Sequence, residues 1–358
     1  MISASSYLPV YLLIVLFLTM MIVSSYTKAV VLDAQRTRVS RTGFALAFML
    51  LLVLFIGYRP INGKVFQDTA GYYDCYNAIV LGYADYFDNH NFIFDELFAY
   101  MAKSGVPVRL FFLLMSTLYF GGIFFACKKL FPRDVLLSFL VYLAAFSTFS
   151  YGVNGLKAGV AASLFLIAVA YKDKKVISLL FLVLSLGFHH AMVVPIVAYV
   201  CAYFVQNRKY YLYFWIFCLI MAALHITSFM SFLSGFTDEE GAIYLQEGEN
   251  VSGFRPDFIL YSAIPIFVGY YLVYKYEIKS ASYDFIWNIY TLANSVFLMT
   301  TYGIYINRIA YLSWLLYPIV LIYPFLNCIW GEKQNKYLKY AVWGHLAFTI
   351  FMVMIYYG

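Results

Sequence analysis

Long apolar runs, separated by short charged connections, repeat along the whole chain. They fall at about 7–27, 43–58, 108–127, 135–152, 156–171, 176–188, 191–206, 210–230, 258–276, 284–302, 306–329 and 338–357. A helix needs about 20 mostly apolar residues to cross a bilayer, whereas the strands of a membrane barrel alternate with period two. The pattern therefore predicts an all-α polytopic membrane protein with about 12 transmembrane helices.

The composition supports this class and excludes several others. Hydrophobic residues make up 64% of the chain and charged residues only 12%, against about 25% charged in soluble proteins. This excludes a soluble enzyme, a nucleic-acid binder, a secreted disulfide module and a single-pass receptor. Of the five cysteines, only Cys75 lies in a polar segment, so no disulfide framework is expected.

The charges between the spans predict the orientation. With the N-terminus outside, the cytoplasmic connections contain 17 of the 24 Lys and Arg residues, as the positive-inside rule requires. They are 28–42, 128–134, 172–175, 207–209, 275–283 and 332–337, together with Lys339. We expect a single membrane domain over 1–358, with 59–107 and 231–257 as large outer loops.

The first outer loop contains an amphipathic stretch, Phe92–Met101. Its apolar positions suit a helix that lies in the outer membrane interface. The 36 Tyr and 35 Phe residues are typical of aromatic belts and of core packing.

Ionisable and amide residues near membrane depth are costly, so they indicate functional sites. On the predicted topology they gather on the outer side. Cations on the outer side are unexpected under the positive-inside rule, although each one alone could extend its side chain to the lipid headgroups. Asp68 and Tyr72 share one face if their segment is helical, while His189 and His190 could instead be satisfied at a helix break. The candidates are Arg59, Asp68, Tyr72, Asn154, Lys157, His189, His190, Arg255, Asp257 and Arg308.

The missing motifs narrow the chemistry. The sequence has no phosphate-binding glycine loop, no zinc-ligand spacing and no nucleophile elbow, so we expect neither a metal nor a cofactor. An outward-facing enzyme needs a substrate that carries its own leaving group, such as a lipid diphosphate sugar. Arginines bind a diphosphate bidentately, and a carboxylate or imidazole can deprotonate the attacking hydroxyl.

Five segments in order resemble the EpsG family of exopolysaccharide polymerases, which are relatives of the Wzy-type O-antigen and capsule polymerases. The segments are Gly57-Tyr58-Arg59 with Gln67–Tyr72, Phe92–Gly105, Asn154–Ala161, Phe188–Met192 and Asn307–Tyr311. Two features depart from the family pattern. Lys157 replaces an arginine, and the doubled His189-His190 leaves open which imidazole corresponds to the family's single histidine.

The resemblance implies a metal-independent glycosyltransferase in the bacterial cytoplasmic (inner) membrane. Its substrate would be an undecaprenyl-diphosphate-linked oligosaccharide, with membrane lipid and a chain-length regulator or flippase as partners. Asp68, His189 and His190 are the expected catalytic residues. The expected substrate-binding residues are Arg59, Tyr72, Asn154, Lys157, Arg255, Arg308 and Tyr311.

Two alternatives remain open at this stage. A membrane O-acyltransferase would be expected to have a histidine early in the chain, yet the first 58 residues contain none. A lipid-linked oligosaccharide flippase would present polar groups along a path through the bilayer, whereas the predicted spans carry almost no charge at their centres.

Overall fold

The apolar runs fold into helices that divide into two compact units. In the computed structural model, residues 3–25, 41–86, 90–234, 243, 245–246 and 254–357 are described, and this part of the chain contains no β-strand. Unit 1 comprises Met1–Met192 with Glu332–Gly358, and unit 2 comprises Val193–Gly331. The all-α prediction is confirmed, and the single membrane domain stays a prediction.

Unit 1 contains ten of the α-helices in the described residues. They are α1 (Tyr7–Ser24), α2 (Thr42–Gly57), α3 (Gln67–Val80), α4 (Phe92–Lys103), α5 (Val108–Leu130), α6 (Val135–Leu143), α7 (Phe146–Val153), α8 (Leu156–Ala170), α9 (Lys175–Phe188) and α17 (Gln334–Tyr357). Short 3-10 helices occupy Ala4–Ser6 and His190–Met192. Helices α5 and α8 pack closely because Gly122 lies directly against Ser163.

Unit 2 is built around α14, which contacts most of its neighbours. The described helices of this unit are α10 (Val193–Phe204), α11 (Arg208–Ala223), α12 (Ser228–Ser234), α13 (Pro256–Tyr276), α14 (Ala281–Met299), α15 (Ile306–Trp314) and α16 (Tyr317–Asn327). Helix α14 also forms side-chain hydrogen bonds to its neighbours, as where the Trp215 indole donates to Asn294 Oδ1 at 2.8 Å.

Five helices in the described ranges are long and apolar enough to cross a membrane, or six if one bent pair forms a single span. The five are Ala4–Ser24, Val108–Leu130, Pro256–Tyr276, Ile306–Asn327 and Gln334–Met354. Four shorter apolar helices accompany them, so the molecule has the character of a multi-pass membrane protein. The count of about 12 spans and the orientation stay predictions.

Two local expectations can be compared with the structure. The amphipathic stretch after the second apolar run forms α4, and Asp68 and Tyr72 lie one turn apart on α3. The run 135–152 is not one straight helix, because α6 and α7 meet at an angle of 77°. Most of 28–42 and of 231–257 lies outside the described residues.

Candidate functional site

Arg59 follows the end of α2 and connects three parts of unit 1. Its guanidinium donates to Thr69 Oγ1 from Nε (3.1 Å) and Nη2 (2.7 Å), and to the Val153 carbonyl from Nη2 (2.8 Å). Nη1 donates to the Ile56 carbonyl at 3.0 Å, and the guanidinium lies 5.0 Å from the centre of the Phe112 ring. The side chain is only 2% exposed. Thr69, and not the adjacent Asp68, is therefore the α3 side chain that holds this arginine.

The charge of Arg59 is kept despite this burial. Burial lowers the pKa of Arg59 to about 9, which is still above neutral pH. A buried charge is stable only when hydrogen bonds replace its water shell. The hydroxyl of Thr69 accepts from the guanidinium and itself donates to the Val153 carbonyl at 2.5 Å. The end of α2, the first turn of α3 and the end of α7 are thus fixed to one another.

Asn154 follows Val153 in the hinge between α7 and α8. Its Oδ1 is buried and has no hydrogen-bond partner among the described residues, an arrangement that is uncommon in folded proteins. The hinge is tightly packed, since a Cβ on Gly159 would lie 2.9 Å from the Tyr151 carbonyl. Lys157 is half-buried in the first turn of α8. An acceptor of this kind suits the hydroxyl group of a sugar.

The two histidines lie at the break between α9 and α10 and are held by the N-cap residue of α4. Asn91 Oδ1 accepts from the backbone N–H of His190 at 2.9 Å and lies 3.2 Å from His189 Nδ1. Because a backbone N–H can only donate, the amide atom that faces it is the oxygen. The same oxygen then accepts from Nδ1–H of His189, which leaves Nε2 as the basic nitrogen of the neutral ring.

Asn91 is itself fixed by the helix that it caps. Its backbone N–H donates to Asp95 Oδ2 at 2.9 Å, and both residues are only 1% exposed. Helix α4 also approaches α9 closely, because Gly187 lies directly against the Ile93 side chain and leaves no room for a Cβ. The N-terminal end of α4 therefore sets the position of the His189 ring.

Helix α3 links the arginine to the histidines. Thr69 contacts Arg59, and one turn later the ring of Tyr72 packs edge-on against Phe94 of α4 at 5.6 Å. Asp68, half-buried, lies beside Thr69 in the first turn of α3. All seven candidates of unit 1 therefore lie at one end of this unit. They are Arg59 after α2, Asp68 and Tyr72 on α3, Asn154 and Lys157 at the hinge between α7 and α8, and His189 and His190 at the break between α9 and α10.

The basic connections 128–134 and 172–175 lie at the other end of unit 1. Lys129, in the last turn of α5, lies 5.2 Å from the ring of Tyr171 at the end of α8, and Lys174 lies 6.0 Å from the same ring. Phe112, which contacts Arg59, is in the first turns of α5. The 23 residues of α5 extend about 35 Å, which exceeds the roughly 30 Å of a bilayer core.

Unit 2 carries the remaining candidates. Arg255 forms a two-point ion pair with Asp257 (Nε to Oδ1 3.0 Å, Nη2 to Oδ2 2.6 Å) and covers the Phe258 ring at 4.3 Å. Arg308 is exposed and lies 5.2 Å from the ring of Tyr305. Tyr311 is buried against Trp314. At the other end of this unit, Arg208 forms an ion pair with Asp284.

Three residues that we did not predict complete the site in unit 1, namely Thr69, Asn91 and Asp95. Asn91 and Asp95 carry a recognisable helix-start pattern, an N-cap residue followed by an acid in the first turn. Nothing in the sequence distinguishes Thr69. Within the described ranges, no group of three or more His, Cys, Asp and Glu is placed to hold a metal ion.

A comparison with known families matches residues 43–358 to the model of the EpsG family. No curated protein and no solved structure matches the chain.

Proposed function

We propose, because this chain belongs to the EpsG family, that it is a membrane glycosyltransferase that polymerises oligosaccharide repeat units carried on undecaprenyl diphosphate. We further propose about 12 spans across the bacterial cytoplasmic membrane, with the N-terminus and the active side outside. The separation of the basic connections 128–134 and 172–175 from the candidate residues in unit 1 supports this orientation, since basic loops favour the cytoplasm.

In the proposed reaction, a hydroxyl group of one lipid-linked repeat unit attacks the anomeric carbon of another lipid-linked chain. The new carbon–oxygen bond forms while the bond from that carbon to the diphosphate oxygen breaks. The electron pair leaves with undecaprenyl diphosphate, and the hydroxyl proton passes to a base on the protein. Cations that hold the diphosphate stabilise the charge that develops on it.

The observation that carries the assignment of the base is the contact between His189 and Asn91. An imidazole with Nδ1–H held by an amide oxygen presents Nε2 as the proton acceptor, which is how oriented histidines act as general bases. We propose His189 as the base, with Asp68 as the second candidate and His190 as the residue whose backbone N–H orients Asn91.

The other predicted residues receive roles that fit their surroundings. The buried Oδ1 of Asn154 would accept from a sugar hydroxyl. In unit 1, Lys157 would contact the diphosphate as a point charge, with Tyr72 as a further substrate-binding residue. In unit 2, exposed Arg308, Arg255 and Tyr311 are the proposed substrate-binding residues. Direct contact of Arg59 with the diphosphate stays a prediction, because this guanidinium is occupied by the hydrogen bonds that fix α3 and α7.

A purified assay with a lipid-linked repeat unit tests the proposal. We expect the wild-type protein to produce polymer. His189→Gln should lower turnover by about 10²–10⁴-fold, the contribution of a general base, while substrate still binds. His190→Gln is the matched control and should retain most of the turnover. Full turnover in His189→Gln would transfer the base assignment to Asp68, and no polymer from the wild-type protein would contradict the function.

A further inference from the structure

A cleft of about 850 Å³ runs between α1 and α17 in unit 1. Its walls are mostly aliphatic and include Leu8, Leu12 and Leu16 of α1 and Leu346, Ile350 and Val353 of α17. The volume lies within the range of small-molecule sites. From Ala4 to Leu16 the cleft follows about 18 Å of helix, so it is elongated along α1.

Most polar residues of the cleft lie at one of its ends, and Thr349 of α17 lies among the aliphatic residues. Lys64 and Gln67, which precede and begin α3, line the cleft there together with Asn154 of the hinge. Lys64 is exposed, and the Oδ1 of Asn154 is the buried acceptor described above. This end of the cleft adjoins the bridge from Arg59 to Val153, because Asn154 directly follows Val153. The cleft is thus amphiphilic, with a cation and an amide at the site and an aliphatic channel leading away from it.

The two helices that border the cleft are the least covered of the membrane-length helices in the described residues. Only 28% of the α1 span and 33% of the α17 span are buried, against 50% to 89% for the other three. Large side chains on α1 are exposed outside the cleft as well, as for Phe17 at 61%. Helices that expose apolar faces in this way contact lipid, so a cleft between them can be entered sideways from the bilayer.

We infer that the α1–α17 cleft binds the polyprenyl chain of the lipid diphosphate, with the diphosphate group at Lys64. The inference rests on the proposed function, which supplies a substrate of this chemistry. The polar end of the cleft adjoins the bridge from Arg59 to Val153, so a lipid bound in the cleft has its phosphate group beside the candidate site. A lysine contacts phosphate as a point charge, and the aliphatic side chains that line the cleft suit an apolar polyprenyl chain.

Photo-labelling of the full-length protein in lipid nanodiscs tests the location. The probe is a polyprenyl diphosphate with a diazirine in its hydrocarbon chain. We expect the label in peptides that contain residues 4–16 and 346–354. Excess unlabelled polyprenyl diphosphate should remove it, and the same excess of dioleoylphosphatidylglycerol should not. Equal competition by the phospholipid would overturn the inference and identify the cleft as a general lipid contact.

Matched variants test the two ends of the cleft. Leu12→Trp places a larger side chain in the cleft, and Phe17→Trp introduces the same residue on the same helix outside the cleft. Lys64→Gln removes the cation, and Lys103→Gln removes another exposed lysine at the end of α4. We expect competable labelling to fall in Leu12→Trp only, and probe affinity to fall about twofold to fivefold in Lys64→Gln, as for a solvent-exposed charge pair. Unchanged labelling in both cleft variants would overturn the inference.

The labelling experiment and the purified polymerase assay together separate binding in the cleft from the proposed function. Competable labelling of other helices, together with polymer formation in the purified assay, would overturn the cleft and leave the polymerase function. The absence of competable labelling anywhere, together with no polymer, would overturn both.

Discussion

At the scale of single residues, the two adjacent histidines have different environments, and one amide accounts for the difference. Asn91 Oδ1 accepts from the backbone of His190 but from the ring of His189. The first contact fixes which amide atom points toward the histidines, and the second fixes which ring nitrogen of His189 carries the proton. Asn91 is therefore a positioning residue that acts through His189.

Substitution of Asn91 should change the pH profile of turnover as well as its size. In Asn91→Asp the new carboxylate would face the His189 ring and favour the imidazolium, which raises the pKa of the histidine. A general base must be neutral, so the acidic limb of the turnover profile should move to higher pH. Initial rates between pH 5.5 and 9 in the purified assay measure this limb.

The control for this prediction is Asn91→Ala, which removes the amide without adding charge. It should lower turnover by about tenfold, as for the loss of a buried hydrogen bond, and it should not move the limb upward. An Asn91→Asp protein that is folded and has an unchanged pH profile would contradict a positioning role for Asn91.

Residue types were easier to predict from the sequence than their contacts. A polar residue at membrane depth stands out against apolar neighbours, which is how Arg59, Asn154 and His189 were found. What each one contacts depends on residues distant in the chain. Thr69 is an ordinary helical residue until the fold places it between Arg59 and Val153, so its importance was not predictable from sequence.

At the scale of elements, the meeting point of α2, α3 and α7 depends on one buried cation and one hydroxyl. The Thr69 hydroxyl accepts two hydrogen bonds from Arg59 and donates one to Val153. Truncating it leaves a buried guanidinium with fewer partners, which costs about 1–3 kcal/mol. The hinge that carries Asn154 would then lose its attachment to α3.

A double-mutant cycle between Arg59→Lys and Thr69→Val measures this attachment. Lysine keeps the charge but cannot reach three oxygens with a planar fork, and valine keeps the shape of threonine without the hydroxyl. We expect each variant to lower the midpoint of thermal unfolding in detergent, with a coupling of about 0.5–3 kcal/mol between them. Turnover should fall in parallel in both single variants.

The same cycle separates two roles of Arg59. If Thr69→Val retains full turnover while Arg59→Lys abolishes it in a stably folded protein, Arg59 acts on the diphosphate directly. If the two variants lose turnover together, Arg59 acts by holding the hinge.

The bend between α6 and α7 shows why element boundaries inside apolar runs are hard to predict. The break at Ala144-Ala145 contains neither proline nor glycine, so the run reads as one span. The carbonyls that the break releases accept hydrogen bonds from side chains, since Thr148 Oγ1 donates to the Tyr142 carbonyl and the Tyr11 hydroxyl, distant in the sequence, donates to the Leu143 carbonyl. Non-helical backbone at membrane depth is tolerated only when such partners exist, and the pairing with Tyr11 is invisible in the local sequence.

At the scale of the whole molecule, composition and charge determine the class of protein and predict its orientation. In lipid, backbone N–H and C=O groups must form their hydrogen bonds within the protein, and a helix does so within one apolar run. The all-helical class follows from this requirement. In unit 1 the structure adds that the lysines of α5 and of the 172–175 connection gather at one end, with the candidate site at the other. Which of these ends faces the cytoplasm is a prediction of the positive-inside rule.

The last prediction tests this orientation with a cysteine that the chain already contains. Cys75 lies on α3, on the candidate-site side of unit 1, and is half-buried. In a variant with the other four cysteines changed to serine, a membrane-impermeant maleimide should label Cys75 in intact spheroplasts. Burial raises the pKa of the Cys75 thiol, and the neighbouring Asp74 adds to the rise. Because the thiolate is the reactive form, the rate of Cys75 labelling should increase steadily from pH 7 to 9.

The matched control is Asp173→Cys in a cysteine-free chain, at a position whose side chain is 84% exposed. This cysteine should react with the maleimide only after the membrane is permeabilised. The reverse pattern would place the histidines and the arginine bridge on the cytoplasmic side, where a polymerase acting on the outer face could not use them.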